Sequence, residues 1–316
     1  MSDFLPILSS VLAVFAVIAV GGLARRLNWL RAEADQSLAA LIAYVLMPCL
    51  FVDRILSGQA FESLSEIWIP PLIGFSMTAF GFAVGIILAR LVGPKIGLDT
   101  TAKQGAFALC VGICNYGYIP LPLAEKFYPA AVVDLILHNV GVDLALWSVG
   151  VAVLVGGAGW KRVLMNPPLI AVTSSVLLKE LVGKDQLPDA LLTVAHMLGD
   201  CAIPMGLVLS GAIMVDFFRQ ANWSDSVRLV IAAISIRQIA LPVIMLLLAV
   251  QFSFSANLQT VLVLQAAMPS AVFPIVMVRL FDKDIDTALR VVLSTSVAGI
   301  VLIPIWLAIG NWWIGA

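Results

Sequence analysis

The sequence predicts an all-α polytopic membrane protein of about ten transmembrane helices. Of its 316 residues, 61% are hydrophobic and only 12% are charged, and the mean hydropathy is +1.05. Soluble domains carry roughly a quarter charged residues. The apolar residues form uninterrupted runs of about 20, the length of helix that spans a bilayer. They do not alternate in segments of about ten residues, as the strands of a transmembrane barrel do.

Each predicted span has about the bilayer length and is followed by a short polar loop. The spans cover about residues 4–24, 38–56, 67–91, 102–123, 130–155, 167–181, 191–215, 227–250, 258–280 and 287–312. The segment before Arg25 has no Lys or Arg. It therefore lacks the charged start of a signal peptide, and we interpret it as the first membrane helix.

Composition also argues against several functions. The net charge is -1 and there is no basic tail, so no nucleic-acid partner is expected. All four cysteines lie in apolar segments without a CxxC pair: Cys49, Cys110, Cys114 and Cys201. We interpret them as small packing residues. No catalytic residue, metal site or cofactor is predicted, and the chain is not expected to be an enzyme.

The distribution of Lys and Arg predicts the orientation in the membrane. The odd-numbered loops hold 13 of these residues and the even-numbered loops hold 4, with Arg237 left inside a span. Because cytoplasmic loops are enriched in Lys and Arg, the odd loops are expected to face the cytoplasm. The prediction is a multi-pass protein of the cell inner (plasma) membrane with both termini outside.

Two spans are interrupted at matching places in the two halves of the chain. The fourth contains Asn-Tyr-Gly-Tyr-Ile-Pro-Leu-Pro at residues 115–122, and the ninth contains Met-Pro-Ser-Ala-Val-Phe-Pro at 268–274. Met47-Pro48 and Ile203-Pro204 are also about half a chain apart. Since each half has an odd number of spans, residues 1–156 and 157–316 are predicted to be inverted five-helix repeats. Inverted repeats with broken helices are typical of secondary transporters.

The broken helices form the candidate substrate site. Pro120 and Pro122, within one turn, are expected to unwind the chain, since each removes an N–H and clashes with a carbonyl a turn back. Freed N–H groups and helix N-termini at mid-membrane attract an anion. The alternative is two kinked helices that only improve packing. The candidate substrate-binding residues are Asn115, Tyr116, Pro120, Pro122, Met268, Pro269, Phe273, Pro274 and Arg237.

Three ionisable residues are predicted to lie deep in the membrane: Arg237, Asp143 and Asp200. A charge there costs at least about 2.5–3.5 kcal/mol, so each is expected to face a cavity or a partner. One alternative is a structural Arg–Asp pair, but one arginine neutralises only one aspartate. The spare carboxylate is a candidate for ion or proton coupling, and Asp143, Asn139 and Asp200 form that predicted site. His138 and His196 are interpreted as packing or surface residues.

Short motifs along nearly the whole chain resemble the auxin efflux carrier family, in the bile acid, auxin and arsenite transporter superfamily. They are residues 15–22, Arg25-Arg26, 41–48, Trp-Ser-Val-Gly at 147–150, Asn-Pro-Pro at 166–168, Gln-Ala-Ala-Met-Pro at 265–269, Pro274, Ser-Thr-Ser at 294–296 and Ile-Pro at 303–304. The order of these motifs is more specific than any one of them. The resemblance implies two inverted five-helix repeats whose fourth and ninth helices cross at their breaks.

The same resemblance implies how the helices are divided. Helices 1, 2, 6 and 7 would form a scaffold, commonly a homodimer interface, and helices 3, 4, 5, 8, 9 and 10 a moving transport domain, as in an elevator mechanism. Asn115 would contact an organic anion. Phe273 replaces a small or polar residue of many bacterial members, which favours a substrate with an apolar body. Only residues 156–162 remain of the long central loop of the plant proteins.

We therefore expect a secondary active transporter that moves an organic anion by alternating access. The anion would be a carboxylate, either auxin-like or a dicarboxylate. Protons or sodium are the candidate coupling ions, and membrane lipids surround the protein. A membrane sensor that binds a small molecule or lipid with the same fold is the second interpretation, and a channel is the third.

Overall fold

A computed structural model of the chain describes residues 4–57, 64–155, 167–181, 187–220 and 227–314. The predicted boundary between the repeats, at residues 156 and 157, lies outside these ranges. So does the loop that contains Lys161 and Arg162, which contributed to the predicted orientation. Both therefore stay predictions.

The described residues fold into helices joined by short connections. The helices are α1 (Phe4–Arg26), α2 (Asp35–Leu41, Ile42–Leu46 and Met47–Ser57), α3 (Leu64–Val92), α4 (Thr101–Gly112), α5 (Pro120–Phe127), α6 (Val132–Ala145, Leu146–Gly150 and Val151–Val155), α7 (Pro167–Leu181), α8 (Asp189–Asp200 and Ala202–Gln220), α9 (Val227–Ser235, Ile236–Ala240 and Leu241–Gln251), α10 (Ala256–Ala267), α11 (Phe273–Leu280) and α12 (Ile285–Ile314). The middle segments of α2, α6 and α9 are π-helical. The predicted all-helical membrane architecture is confirmed at this level.

Seven helical segments in the described residues are long and apolar enough to cross a membrane. They belong to α1, α2, α3, α6, α8, α9 and α12. Two other predicted spans are divided into shorter helices, α4 with α5 and α10 with α11, and α7 has 15 residues. The count of about ten spans and the inverted repeat stay predictions.

Glycines allow two pairs of helices to approach backbone to backbone. A Cβ on Gly21 of α1 would lie 2.0 Å from the Val208 carbonyl oxygen, and one on Gly211 of α8 would lie 1.8 Å from that of Ile18. Between α3 and α6, a Cβ on Gly141 would lie 1.8 Å from the Pro71 oxygen. Lipid gives helices little hydrophobic reason to associate, so such small-residue contacts are a main source of packing energy.

The most extensive helix contacts fall into two groups. In one group, α1 packs on α8, and α2 packs on both α7 and α8. In the other, α3 packs on α4 and α6, while α9, α10 and α12 pack on one another and α12 also packs on α4. Contacts between the groups include α1 with α12. The broken helices α4–α5 and α10–α11 cross in the second group.

Candidate functional site

Each break consists of an extended segment between two helices. Thr100 caps the start of α4, and the chain becomes extended at Ile113. Ser255 caps the start of α10, and the chain becomes extended at Met268. The non-helical segments that begin there, residues 113–119 and 268–272, are called the first and second break below.

The prolines occupy a different place from the one predicted. Pro120 and Pro122 lie in the first turn of α5, and Pro274 lies in the first turn of α11. A first-turn proline sacrifices no helical hydrogen bond, because the N–H there has no intrahelical partner. The unwound residues therefore precede Pro120 and Pro122, and these prolines start the next helix instead of lying within the unwound stretch.

The two breaks pair with each other. Cys114 and Ser270 form an antiparallel bridge. The Asn115 N–H donates to the Pro269 carbonyl at 2.7 Å, and the Ala271 N–H donates to the Ile113 carbonyl at 3.2 Å. Unwound backbone survives at membrane depth only where protein or water satisfies its polar groups. The geometry matches the crossing that the family resemblance implies.

Arg237 lies beside this crossing as a buried cation. It sits in the π-helical segment of α9 and is 2% exposed. Its Nη2 donates to the Gln265 carbonyl at 3.4 Å, and its Nε has no hydrogen-bond partner among the described residues. Within the same residues it forms no ion pair, so neither Asp143 nor Asp200 neutralises it. Arg237 therefore does not form the alternative structural Arg–Asp pair within the part of the chain that the structure describes.

Gln265 connects the two breaks through its fully buried side chain. Its Nε2 donates to Asn139 Oδ1 at 3.0 Å and to the Tyr116 carbonyl at 3.2 Å. Its Oε1 accepts a hydrogen bond from the Cys114 thiol at 3.0 Å. Our sequence reasoning did not place Gln265 in the site. The available signal was the one amide, Gln265, within the otherwise apolar residues 261–267 of α10.

Asp143 is also buried and holds the first break. The Tyr116 hydroxyl donates to Asp143 Oδ1 at 2.6 Å, and Asn139, one turn earlier on α6, accepts from Gln265. Asp143 forms no ion pair in the described part of the chain. The predicted pair Asn139 and Asp143 thus contacts Gln265 and Tyr116 from one face of α6.

A second set of polar groups surrounds the second break. Gln238 Nε2 donates to the Thr295 carbonyl at 3.0 Å, and the Ser270 N–H donates to Thr295 Oγ1 at 3.3 Å. The buried Ser270 Oγ and Gln238 Oε1 have no partner among the described residues. Sequence reasoning missed Gln238 and Ser270 as site residues, and it noted Thr295 only for the resemblance.

Two predicted site residues lie elsewhere. Phe273 is 41% exposed at the start of α11, and its ring meets that of Trp147 edge-on with centroids 6.0 Å apart. The Asp200 side chain is 48% exposed and pairs with Arg54 at 3.0 Å. Asp200 therefore faces a partner, Arg54, and its side chain is only half-buried by the described residues. Its role in ion coupling stays a prediction.

The remaining predicted residues line the breaks. Asn115 is buried, and its Oδ1 accepts a hydrogen bond from the Ile119 N–H at 3.4 Å, just before α5. Met268 and Pro269 are buried in the second break. Tyr118 of the first break faces α8, where a Cβ on Gly206 would lie 2.1 Å from its ring. The crossing therefore also contacts the helix group formed by α1, α2, α7 and α8.

Comparison with known proteins identifies the family. The sequence model of the membrane transport protein family matches residues 6–159 and 151–307. The chain belongs to the auxin efflux carrier family. It is 23% identical over 304 residues to an uncharacterized transporter of Methanothermobacter thermautotrophicus, covering 94% of this chain and 96% of that protein. It is 25% identical over 310 residues to an uncharacterized transporter of Methanocaldococcus jannaschii, with the same coverage.

Membership of the auxin efflux carrier family accounts for the apolar composition and the helical fold. It supports a multi-pass membrane protein with a transport function. Both relatives cover nearly the whole chain, so the similarity includes the two breaks and Arg237 within its range.

Proposed function

We propose that the chain is a secondary active transporter that moves an organic anion across the membrane by alternating access. The main support for an anionic substrate is Arg237. Its guanidinium is buried beside the crossing and has no acidic partner among the described residues. A buried, unpaired charge costs several kcal/mol. An anion that binds there removes this cost, whereas a neutral or cationic solute does not.

The polar groups of the two breaks suit a carboxylate. The hydroxyl of Ser270 is buried without a partner in the described chain and is free to donate. Asn115 offers a side-chain amide at the first break, and within the described residues only its oxygen is engaged. A guanidinium with nearby hydroxyl and amide donors is the usual way proteins bind a carboxylate. The proposed substrate is an auxin-like carboxylate or a dicarboxylate.

Asp143 is the proposed coupling site for a proton or sodium. It is a buried carboxylate that accepts a hydrogen bond from the Tyr116 hydroxyl, and it has no ion pair in the described residues. Such a group either takes up a proton or binds a cation, since a bare charge in this position is costly. Tyr116 and Gln265 connect it to the crossing, so occupation of either site alters the same break.

The packing supports a division into moving and fixed parts. The group α1, α2, α7 and α8 is the proposed scaffold, which would also carry a homodimer interface within the lipid bilayer. The helices that contain and surround the breaks are the proposed transport domain. We place the protein in the inner (plasma) membrane with both termini outside, on the basis of the Lys and Arg distribution.

Transport in proteoliposomes tests this proposal. Liposomes loaded with unlabelled organic acids should accumulate the labelled acid by counterflow, with saturation. Arg237→Gln should lower affinity at least about thirtyfold, because truncating one partner of a buried charge pair costs about 2–5 kcal/mol. Arg228→Gln is the matched control, since Arg228 is an exposed arginine on the same helix that donates to the Lys95 carbonyl at 3.3 Å.

The alternatives predict different results. Binding of an acid without counterflow would replace the transporter by a sensor. Flux without saturation would indicate a channel. Wild-type affinity in Arg237→Gln would remove Arg237 from the site.

A further inference from the structure

A second charged cluster lies away from the crossing, where α2, α5 and α8 meet. It contains Asp53 and Arg54 of α2, Glu125 of α5, and His196 and Asp200 of α8. Arg54 contacts Asp53, and it also donates to Glu125 at 2.8 Å and to Asp200 at 3.0 Å. None of the interactions proposed at the crossing uses these groups.

The contact between Arg54 and Glu125 joins the two helix groups. Arg54 belongs to the proposed scaffold, whereas Glu125 is on α5, directly after the first break. Lys126 makes a second link, because its Nζ donates to Ser10 Oγ of α1 at 2.7 Å. Any motion of the crossing relative to α1 and α2 must break both contacts. Arg54 and Glu125 are therefore called the latch.

His196 lies between two carboxylates of the same cluster. Its Nδ1 is 3.1 Å from Asp53 Oδ2, and its Nε2 is 3.4 Å from Asp200 Oδ2. Ionised carboxylates only accept hydrogen bonds, and a neutral imidazole has only one N–H. The ring therefore satisfies both carboxylates only when both nitrogens carry a hydrogen. Its side chain is 56% exposed, so the surrounding helices do not enclose it.

We propose that protonation of His196 strengthens the latch between Arg54 and Glu125, so that pH regulates the opening of this side of the crossing. With a neutral ring, three carboxylates surround one guanidinium, and the cluster carries a net charge of about −2. Arg54 must then compensate Asp53 and Asp200 as well as Glu125. With a charged ring, His196 partly neutralises the carboxylates of Asp53 and Asp200. Arg54 then interacts more strongly with Glu125.

The contacts of His196 determine whether the latch closes at low or at high pH. The imidazolium contact is present below the titration range of the ring and is lost as the pH rises through it. The latch is therefore closed at low pH and loosened at high pH. A further charged group near this end of α2 is Lys179 of α7, whose Nζ donates to the Ile55 carbonyl at 2.9 Å. Its permanent positive charge acts in both states and does not reverse the sign.

A proton fits this site better than a metal ion. The ligand atoms of Asp53, His196 and Asp200 lie within 4.8 Å of one another, a spacing that a cation could bridge. Arg54 already contacts both carboxylates, however, and would oppose a second cation. The two ring nitrogens also face different carboxylates instead of converging on one point.

A distance measurement tests the latch without requiring a known substrate. Spin labels are placed at Ala130, after α5, and at Val194 of α8, both exposed, in a protein whose natural cysteines are replaced by serine. Distances are measured by pulsed electron paramagnetic resonance in lipid nanodiscs at pH 5 and pH 8. We expect the ratio of short to long distances to fall about fivefold or more between them, a typical size for coupled sites.

Variants identify the responsible groups. His196→Gln should remove the pH dependence, and Glu125→Gln should give the long distances at both pH values. The control is Lys103→Gln, which breaks the exposed pair of Lys103 with Asp99 at 2.8 Å. The hydrogen bond from Lys103 lowers the pKa of Asp99, so this pair does not titrate between the two pH values.

Two results would overturn the inference. One is a wild-type distance distribution that is the same at pH 5 and pH 8, and the other is an undiminished pH response in His196→Gln. The role of the latch in a transport cycle rests on the proposed function, but the distances do not. If the distances depend on pH but the protein shows no counterflow, the proposed transport function is refuted and the pH-dependent latch is not.

Discussion

The hydroxyl of Tyr116 lies 2.6 Å from the carboxylate of Asp143, which ties the first break to α6. The protonation state or cation occupancy of Asp143 therefore bears directly on residues that contact the second break. This single contact connects the proposed coupling ion with the proposed substrate site.

Asp143→Asn should abolish the dependence of transport on external pH while leaving the fold intact, because an amide still accepts the hydrogen bond of Tyr116 but does not titrate. Tyr116→Phe should retain the pH dependence and lower the rate. Both variants are measured in proteoliposomes at equal protein density, with Asp200→Asn as a comparison. Wild-type pH dependence in Asp143→Asn would disprove proton coupling through this residue.

Gln265→Leu should destabilise the protein by about 1–3 kcal/mol, because it leaves the buried Asn139 and Tyr116 oxygens without their donor. Thermal unfolding in detergent measures this effect. The matched control is Gln259→Leu on the same helix, which loses one partly buried hydrogen bond to the Ala249 carbonyl. Equal losses of stability in the two variants would show that Gln265 is not a special connection between the breaks.

Asn115→Ala should weaken substrate binding without breaking the hydrogen bonds between the two breaks. The bond of Asn115 to the Pro269 carbonyl is made by the main chain and is kept in the variant. Removing one hydrogen bond to a charged ligand costs about 1.5–3 kcal/mol, or roughly a 10- to 150-fold loss of affinity. A ligand-induced thermal shift with an organic acid that stabilises the wild type measures the change. An unaltered affinity would exclude Asn115 from the site.

Gly211→Ala should separate α1 from α8 and destabilise the protein by about 1–3 kcal/mol, the usual cost of overpacking. The new methyl carbon would lie 1.8 Å from a main-chain oxygen, which cannot move alone. Gly117→Ala is the control, because a Cβ on Gly117 meets nothing within 4 Å. Thermal unfolding that is equal for the two variants would contradict the close packing of α1 and α8.

The sequence predicted the membrane fold, the location of both breaks, and the buried residues Arg237, Asp143 and Asn139. These features have local signatures: long apolar runs, paired prolines, and charges inside spans. Gln265 was not predicted as a site residue because its partners Cys114 and Tyr116 lie about half the chain away, and no local pattern indicates that contact. The sequence also did not show on which side of Pro120 the unwound residues lie, since the same residue type breaks a helix or begins one according to its position in the turn.

Asp200 shows the limit of estimating burial by counting residues along a span. Its position within the seventh predicted span suggested burial, but Arg54 and an exposed surface lie beside it. α8 is divided at Cys201, directly after Asp200, so this residue does not lie in the middle of one continuous helix. Contacts between helices decide which charges are buried.

The bridge between Cys114 and Ser270 has a consequence for biosynthesis. Ribosomes make the first break long before the second, so residues 113–115 enter the membrane while their hydrogen-bonding partners are still untranslated. Until about residue 271 has been inserted, these backbone groups must be sheltered by water, by the insertion machinery or by a chaperone. The amino-terminal half is therefore an unfinished assembly intermediate, and its lifetime is set by the speed of translation across the second half.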